Sequence, residues 1–576
     1  MSNRVVSNSD VKKALGLHGV FGSIMVSLGY YICGFHKTVK YLDNATECQG
    51  QEFVTRFLDN MKVSAVFDKK QLSNIPVEGS FVIVCNHPFG GIEGLLLYKI
   101  VSEIRPDFKL MANYLLAMIP NFKDSIFGVN PFTSNPEWSD SKNGLRGSIK
   151  HLAEGHGLGI FPAGEVSRYH GNSYPEDLPW SSSVARLIKN ANVPVVPIFW
   201  EGQNSRMFYR LDKVHKKLSL ARLPKELANK RGQCISLQIG KPIPAAEIAK
   251  FERPEDLAAY LRARTYALEA NSTWPSQETT VTAPIETSSA TSEIELELNR
   301  CREKSLLFSE ANYDCFLVDY EETTNLMQEI FRLREESFRS VGEGTGKSFD
   351  MDEFDHYYKH VVLWDNTNHK IVGGFRFGIG KEILQSRGVN GFIFSTLFDI
   401  DASFSAYLEK TLELGRFFIA IEYQQKGLPL QLLLRTIFVL AAAHPEAEYY
   451  IGPVSVSNWY PKFYQGLIME YLSKKHPVEP KLADMLKPHH PFQPDFLKVD
   501  IDALLKSNMD SIEAFDKFLF RLSDGKARVP SLLRKYLRLN AKVIGFNIDT
   551  NFNNSFDALL FAKISDFPEK EVLPFF

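Results

Sequence analysis

Short apolar runs alternate with stretches of helical periodicity through the first half of the chain. Phe81-Val82-Ile83-Val84-Cys85, Leu158-Gly159-Ile160-Phe161 and Val193-Pro194-Val195-Val196-Pro197-Ile198-Phe199 have strand length, and each runs into a polar turn. Residues 110–120 read as a strand and then a helix, 143–154 and 180–190 as helices, and 254–270 as a closing helix. This predicts an α/β layered domain over 63–271, with reactive groups at strand ends. The second half has another rhythm. Strands are expected at 315–319, 361–365, 370–379, 411–421 and 449–452, and helices at 325–338, 430–443 and 458–467. Antiparallel strands followed by strand, turn, helix and strand predict a mixed-sheet α+β domain over 294–576, with its ligand at the turn before the long helix. Between the halves, 272–293 is half Ser or Thr over 22 residues and has no Lys or Arg. That composition buries too little to fold and predicts a flexible linker.

Composition narrows the function. The 576 residues, 44% hydrophobic and 23% charged, suit two or more globular domains. Lys plus Arg number 66 and Asp plus Glu 68, so no basic excess argues for nucleic acid. The six cysteines make no zinc-ligand spacing and fit a reducing compartment; no metal is expected. No cleavable leader is expected in the polar first 16 residues. Residues 1–62 are expected to be helical and membrane-associating. Within them 19–35 is uncharged, with Phe21, Tyr30, Tyr31 and Phe35 suited to an interface. A buried helix, a short span and an interfacial helix compete there, and its 17 residues favour seating on a bilayer surface. Residues 206–231 hold nine Lys or Arg and two acids, either a solvated face or a patch for anionic headgroups or an acidic carrier protein. Gly342-Glu343-Gly344-Thr345-Gly346-Lys347-Ser348 ends like a phosphate loop, but Val341 stands where the first glycine is required, so it reads as a surface loop.

The candidate chemistry centres on Asn86-His87-Pro88-Phe89-Gly90-Gly91-Ile92-Glu93. An imidazole exposed after a strand takes a proton at neutral pH, and a carboxylate within reach favours the imidazolium. Asn86-His87-Pro88, Phe161-Pro162-Ala163-Gly164-Glu165 and Val193-Pro194-Val195-Val196-Pro197 follow the motif order of the lysophospholipid acyltransferases, and 63–241 resembles that family. Two departures stand out. His87-x5-Glu93 replaces His-x4-Asp, a variant associated with relatives acting on amino-acid lipids, and Ala163 holds a glutamate's place. The resemblance implies a glycerolipid-acyltransferase-like α/β domain that O-acylates a hydroxyl. His87 would be general base and Glu93 its orienter, with the Gly90 and Gly91 backbone as oxyanion donors. Phe161, Pro162, Gly164, Glu165, Ser167 and Arg168 would line the acceptor side.

Asp350-x-Asp352-x-x-Asp355 with His360, Val372-Gly373-Gly374-Phe375-Arg376, Glu413-Leu414-Gly415-Arg416 and Gln424-Gln425-Lys426-Gly427-Leu428-Pro429 resemble the N-acyltransferase branch of the acetyltransferase (GNAT) superfamily, as does 528–545. This implies a GNAT-like mixed-sheet domain that N-acylates an amino acid, ornithine favoured, with a 3-hydroxyacyl group. Glu413 or a water would accept the amine proton, and Arg416 would pair with the substrate carboxylate. Gln424, Lys426 and Gly427 would hold a phosphopantetheine phosphate at a helix N-terminus. Pro429 removes one backbone donor there, which favours acyl carrier protein over coenzyme A as the donor's carrier. Tyr464 lies where a phenol acid is often kept. The fusion resembles the bifunctional ornithine lipid synthases. It implies amino-acid and lyso-lipid substrates, a membrane lipid surface as partner, and a peripheral or shallowly anchored place on the cytoplasmic face of the inner membrane. A lysophosphatidate acyltransferase with an accessory GNAT-like module, or a non-catalytic membrane-binding protein, are the alternatives.

Overall fold

The structure is a computed structural model that describes residues 45, 47–113, 120–129, 139–171, 174–275 and 282–573. The apolar segment 19–35, the helix expected just before Pro120, and Asn130-Pro131-Phe132 lie outside the described residues. The chain divides into two compact units. One takes the chain up to Thr273 with Phe496–Asp510 and Phe520–Lys526; the other takes Trp274–Asp495, Ser511–Leu519 and the chain from Ala527.

In the first unit β1 (Ser64–Val66), β2 (Phe81–Cys85), β3 (Lys109–Asn113), β4 (Ile126–Val129), β5 (Gly157–Ile160), β6 (Val195–Trp200) and β7 (Cys234–Ile239) form one sheet in the order β1-β7-β6-β2-β5-β3-β4. Every neighbouring pair is parallel except β6 and β7. β2 is buried at all five positions. Successive side chains point to opposite faces. Phe81, Ile83 and Cys85 therefore join a core with α1 (Gly50–Met61) and α2 (Ile92–Ser102). Val82 and Val84 join another with α3 (Ser139–Ala153), α4 (Ser182–Ala191) and α7 (Pro254–Tyr266). Burial on both faces explains a continuous apolar run instead of alternation. β2, β5 and β6 run the same way, so the turns that follow them share one edge. The basic stretch 206–231, read from sequence only as a charged run, folds mostly as α5 (Arg206–Val214) and α6 (Lys216–Asn229), broken at the extended His215.

In the second unit eight strands form a sheet in the order β16-β17-β14-β13-β11-β10-β9-β8. These are β8 (Leu306–Glu310), β9 (Tyr313–Val318), β10 (Lys359–Asp365), β11 (Lys370–Ile379), β13 (Thr411–Ile419), β14 (Tyr449–Val456), β16 (Lys542–Asp549) and β17 (Ser555–Lys563); β12 (Phe398–Ile400) pairs separately with β15 (Leu486–Pro488). All pairings are antiparallel except β13 with β14. That parallel pair is short. It runs from Thr411 opposite Tyr449 to Glu413 opposite Ile451, after which the two strands part. The unit also carries α8 (Thr291–Ser305), α9 (Thr324–Arg339), α10 (Gly427–Ala443), α11 (Lys462–Lys475) and α12 (Ser531–Arg538).

Two domain expectations change. Part of the presumed flexible linker is fastened: Ala283 N–H donates to Gly346 O (3.0 Å), Glu286 N–H to Ser348 O (3.2 Å) and Ser289 N–H to Glu329 Oε2 (3.1 Å). Hydrogen bonds hold this Ser/Thr-rich segment where apolar burial would not. Late segments also return to the first unit. Asn508 Nδ2 donates to Tyr260 OH (3.4 Å), Lys498 Nζ to Glu269 Oε1 (3.2 Å) and Tyr174 OH to Leu497 O (3.1 Å).

Gly452 stands where β13 and β14 part, and a Cβ there would sit 2.3 Å from Leu414 O. Backbone on the opposing strand cannot swing away as a side chain can. Gly452→Ala should therefore destabilise the protein by about 1–3 kcal/mol, read as a lowered unfolding temperature by calorimetry on the whole chain.

Candidate active sites

The first site forms where β2 ends. Asn86 fixes the strand end to β6: its Nδ2 donates to Trp200 O (2.9 Å) and its Oδ1 accepts from Trp200 N–H (2.7 Å). The chain then turns through Gly90 at φ +89°, where a Cβ would meet Val166 at 2.7 Å and Leu223 at 2.8 Å. Only glycine fits there. Glu93 enters the first turn of α2 fully buried. His87 Nδ1 lies 2.9 Å from Glu93 Oε1. The same carboxylate accepts from the N–H groups of Phe89 (2.9 Å), Gly90 (2.8 Å) and Gly91 (2.9 Å). Burial alone would push its pKa up; His87 and the N–H donors outweigh burial and bring it down to about 2. Glu93 is thus a fixed anion. Burial lowers the His87 pKa, but the Glu93 charge outweighs it with help from Asp177, and the net shift is upward.

A turn from β5 backs this pair. The Phe161 ring lies 4.6 Å from the His87 ring. Pro162 O accepts from Ser181 N–H (3.0 Å), and Gly164 turns at φ +67°. Ser167 N–H donates to His87 O (2.9 Å), and Ser167 Oγ to Asp177 Oδ1 (2.6 Å). Asp177 also accepts from His87 N–H (3.1 Å) and Trp180 Nε1 (3.0 Å). Arg168 is buried against Asp212 of α5, and Glu165 pairs with Lys216 of α6 at 2.5 Å.

Two sequence assignments need correcting, and one residue was missed. The Gly90 and Gly91 N–H groups are spent on Glu93, because a carboxylate at a helix start attracts the donors nearest it. They are not oxyanion donors. Ser167 and Arg168 are buried and bound within the fold, so they position the turn and do not line an acceptor face. Asp177 escaped the sequence reading, since nothing in its spacing from His87 marks it.

The second site is a cavity of about 680 Å³ that opens where β13 and β14 part; its lining includes Gly415 and Arg416 from one strand and Gly452 and Val454 from the other. Its apolar lining includes Leu532, Tyr536, Leu560 and Phe567. Its charged lining includes Arg416, Glu343, Asp549 and Asp557. Arg416 stands 3.2 Å from Asp350 and lies over the Phe552 ring at 4.3 Å. Asp350 and Asp352 also line the cavity. With Asp355 they pair with Arg334, Arg376 and Arg416, three carboxylates and three guanidiniums in one network. Burial holds His360, beside that network, down at about 4.

Glu413 does not line this cavity. It is fully buried, accepting from Tyr358 OH, Ile393 N–H (3.1 Å) and Phe394 N–H (3.0 Å). That corrects its expected role at the amine, because its lone pairs are engaged inside the core. Tyr464 is also buried, stacked on Trp274 at 5.4 Å, away from the cavity lining. The loop 342–348, dismissed as surface, contributes Glu343, Thr345 and Lys347 to the cavity. Glu335 holds it through the N–H groups of Thr345 (3.0 Å) and Gly346 (2.8 Å), and Asn553 Nδ2 donates to Gly342 O (2.9 Å). Three glycines with positive φ in five residues were the available signal. Burial, then Asp557, pushes Glu343 up to about 8; burial, then Asp549, pushes Asp557 up to about 7.

Gln424 lines the cavity, and its Nε2 donates to Ile419 O (3.0 Å). Lys426 Nζ lies over the Tyr423 ring at 4.4 Å, and exposed Gly427 begins α10. Among the described residues no helix is long and apolar enough to cross a membrane, and no three His, Cys, Asp or Glu side chains gather as a metal site.

Residues 36–273 match the family described as "Acyltransferase", and residues 333–434 match the "Acetyltransferase (GNAT) domain". The protein is an acyltransferase. It joins an acyltransferase domain to a GNAT domain. This acyltransferase is 28% identical over 43% of its length to a glycine N(alpha)-acyltransferase of Phocaeicola vulgatus, covering 79% of that protein. It is 32% identical over 31% of its length to a glycine N(alpha)-acyltransferase of Bacteroides thetaiotaomicron, covering 57% of that protein. It is 29% identical over 38% of its length to a lyso-glycine lipid O-acyltransferase of P. vulgatus, covering 76% of that protein. The solved 1-acyl-sn-glycerophosphate acyltransferase of Thermotoga maritima aligns over 44% of this chain and 97% of that one, at 18% identity and TM-score 0.26.

Neutral His87 is the form that takes a proton, so transfer at the first site should fall as pH drops through its raised pKa, above 6.5. Glu93→Gln removes the charge that raises it. The acidic limb of the pH–rate profile should move to lower pH while the rate drops by about 10²-fold or more. An unmoved limb would remove Glu93 from this role.

Proposed function

We propose that the two domains make an amino-acid lipid in sequence, the GNAT domain N-acylating an amino acid and the other domain O-acylating the product. The single supporting observation is that one chain pairs a His87–Glu93 dyad, its carboxylate fully buried, with a second cavity holding both Arg416 and carboxylates. The relatives support the order, since their names cover an N-acylation and an O-acylation of one lipid type.

In the second cavity Arg416 pairs with the amino-acid carboxylate, and Glu343 and Asp557 face its ammonium. Carboxylates raised to about 8 and 7 are matched to accept the amine proton near neutrality. The freed amine attacks an acyl thioester. A C–N bond forms, the C–S bond breaks, and the thiol leaves with a proton. The apolar lining takes the acyl chain. Backbone groups of β13 and β14, unpaired with each other beyond Glu413 and Ile451, suit an extended thioester arm. Gln424 and Gly427 at the start of α10 suit the arm's phosphate, and acyl carrier protein is the proposed carrier. In the first site His87 removes the proton from the lyso-lipid hydroxyl as it attacks a second thioester; an ester bond forms and a thiol leaves. Glycine is the proposed headgroup, after the relatives. One observation favours ornithine as a second reading: the cavity has Asp549 beyond the two carboxylates that one ammonium needs.

The test is mass spectrometry of lipids from a host without amino-acid lipids that expresses the chain and supplies 3-hydroxyacyl donors. A doubly acylated lipid is expected, its headgroup mass choosing glycine or ornithine. His87→Ala should accumulate the singly acylated form. Lysophosphatidate acylation by the purified protein, with no new lipid, would instead support phospholipid synthesis. Asp557→Asn should cut both products about 10²-fold or more and move the N-acylation limb to lower pH, because the Asp557 charge helps raise Glu343. Glu413→Gln places amide hydrogens among backbone N–H donors, so its main effect should be a lowered unfolding temperature.

A further inference from the structure

The helix pair α5–α6 stands over the first site. Leu223 and Val166 crowd Gly90, Lys230 Nζ lies over the Phe89 ring at 4.1 Å, and Asn204, just before α5, donates to Phe89 O (3.1 Å). The pair's contribution to the core is met by Phe208 and Tyr209, which pack with Val166. What remains outside has a distinct chemistry.

Residues 213–218 form one continuous exposed run, Lys213-Val214-His215-Lys216-Lys217-Leu218. Val214 is 74% exposed, and Leu218 and Met207 are each 46% exposed. Apolar side chains left in water this way gain nothing from burial in the fold. Both acids of the stretch are consumed internally. Asp212 is bound by Arg168 and by Ser219 Oγ (2.7 Å), and Glu226 by Ser205 (2.9 and 2.7 Å) and Arg222 (2.8 Å). Arg206, Arg210, Lys213 and Lys217 have no acidic partner among the described residues. The outward field is therefore positive, and the apolar residues sit among its sources.

We propose that α5–α6 docks this domain on an anionic lipid surface, with Val214 and Leu218 entering the headgroup layer and the cations around them meeting lipid charge. Cations alone would suit an acidic protein equally. Exposed apolar side chains interleaved with long cationic ones favour the bilayer boundary, where each kind of group finds its own medium. The placement has a consequence for catalysis. A surface reached by α5–α6 lies beside the His87 turn, so a lipid acceptor can present its hydroxyl without leaving the membrane. That consequence rests on the proposed lyso-lipid substrate; the docking itself does not.

The test uses the full-length chain and a Lys213→Gln, Val214→Ser, Lys217→Gln, Leu218→Ser variant, with flotation on neutral phosphatidylcholine vesicles and on vesicles also containing phosphatidylglycerol. All four positions are exposed and outside the catalytic residues, and a matching unfolding temperature confirms that the fold is kept. Wild type should favour the anionic vesicles. The variant should lose about 25-fold in partition for the two cations alone, at about five-fold each, and more with the apolar changes. Its O-acyl transfer to lipid in anionic vesicles should fall while transfer to a short-chain soluble alcohol is unchanged. Equal binding by variant and wild type would overturn the proposal. So would unchanged vesicle binding with lost capture by an acidic acyl carrier protein. Retained docking with no amino-acid lipid made would sink the proposed function and leave the docking surface standing.

Discussion

A carboxylate taken out of water must be compensated or protonated, and the two sites of this acyltransferase are built on opposite answers to that constraint. Glu93 is compensated. Three backbone N–H groups and His87 surround it at 2.8–2.9 Å, and its pKa falls to about 2. Glu343 and Asp557 are buried beside other carboxylates, Asp557 for the first and Asp549 for the second, with Arg416 only partly offsetting them, and they rise to about 8 and 7. A permanent anion orients and polarises an imidazole; a carboxylate near neutrality exchanges protons itself. One residue type thus serves two purposes according to the donors around it.

The scaffolds that deliver these groups differ for a related reason. In the first unit, parallel strands put the ends of β2, β5 and β6 at one edge, where the turns carrying His87 and Phe161 meet Trp200 at the end of β6. Helices pack against both faces of that sheet. In the second unit the sheet is antiparallel except for one short parallel pair, and the space between the diverging strands becomes the cavity. Asp350 and Asp352 line that cavity, and their network with Asp355 and three arginines fixes Arg416, the one of the three arginines in the lining.

Much of this was legible along the chain. β2 and β11 coincide with their apolar runs, and the His87 turn announced itself because histidine, glycines and carboxylate fall within seven residues. The errors share one cause. Glu413 reads as a reactive carboxylate beside Arg416, yet the turn of the chain at Arg416, with φ +54°, and the packing of Ile393 and Phe394 take it out of the cavity. Gly90 and Gly91 read as free donors, and the return of α2 consumes them.

The sequence by itself determined the two domain types, the strand that carries His87 and the dyad with Glu93, because periodicity and short-range spacing are local properties. Only the tertiary structure decided which carboxylates face the second cavity, that Asp177 and Ser167 brace His87, and that 206–231 becomes a helix pair above the first site. Those facts depend on residues far apart in the chain being brought within a few ångströms. Burial and pairing arise there, and no pattern along the chain encodes them.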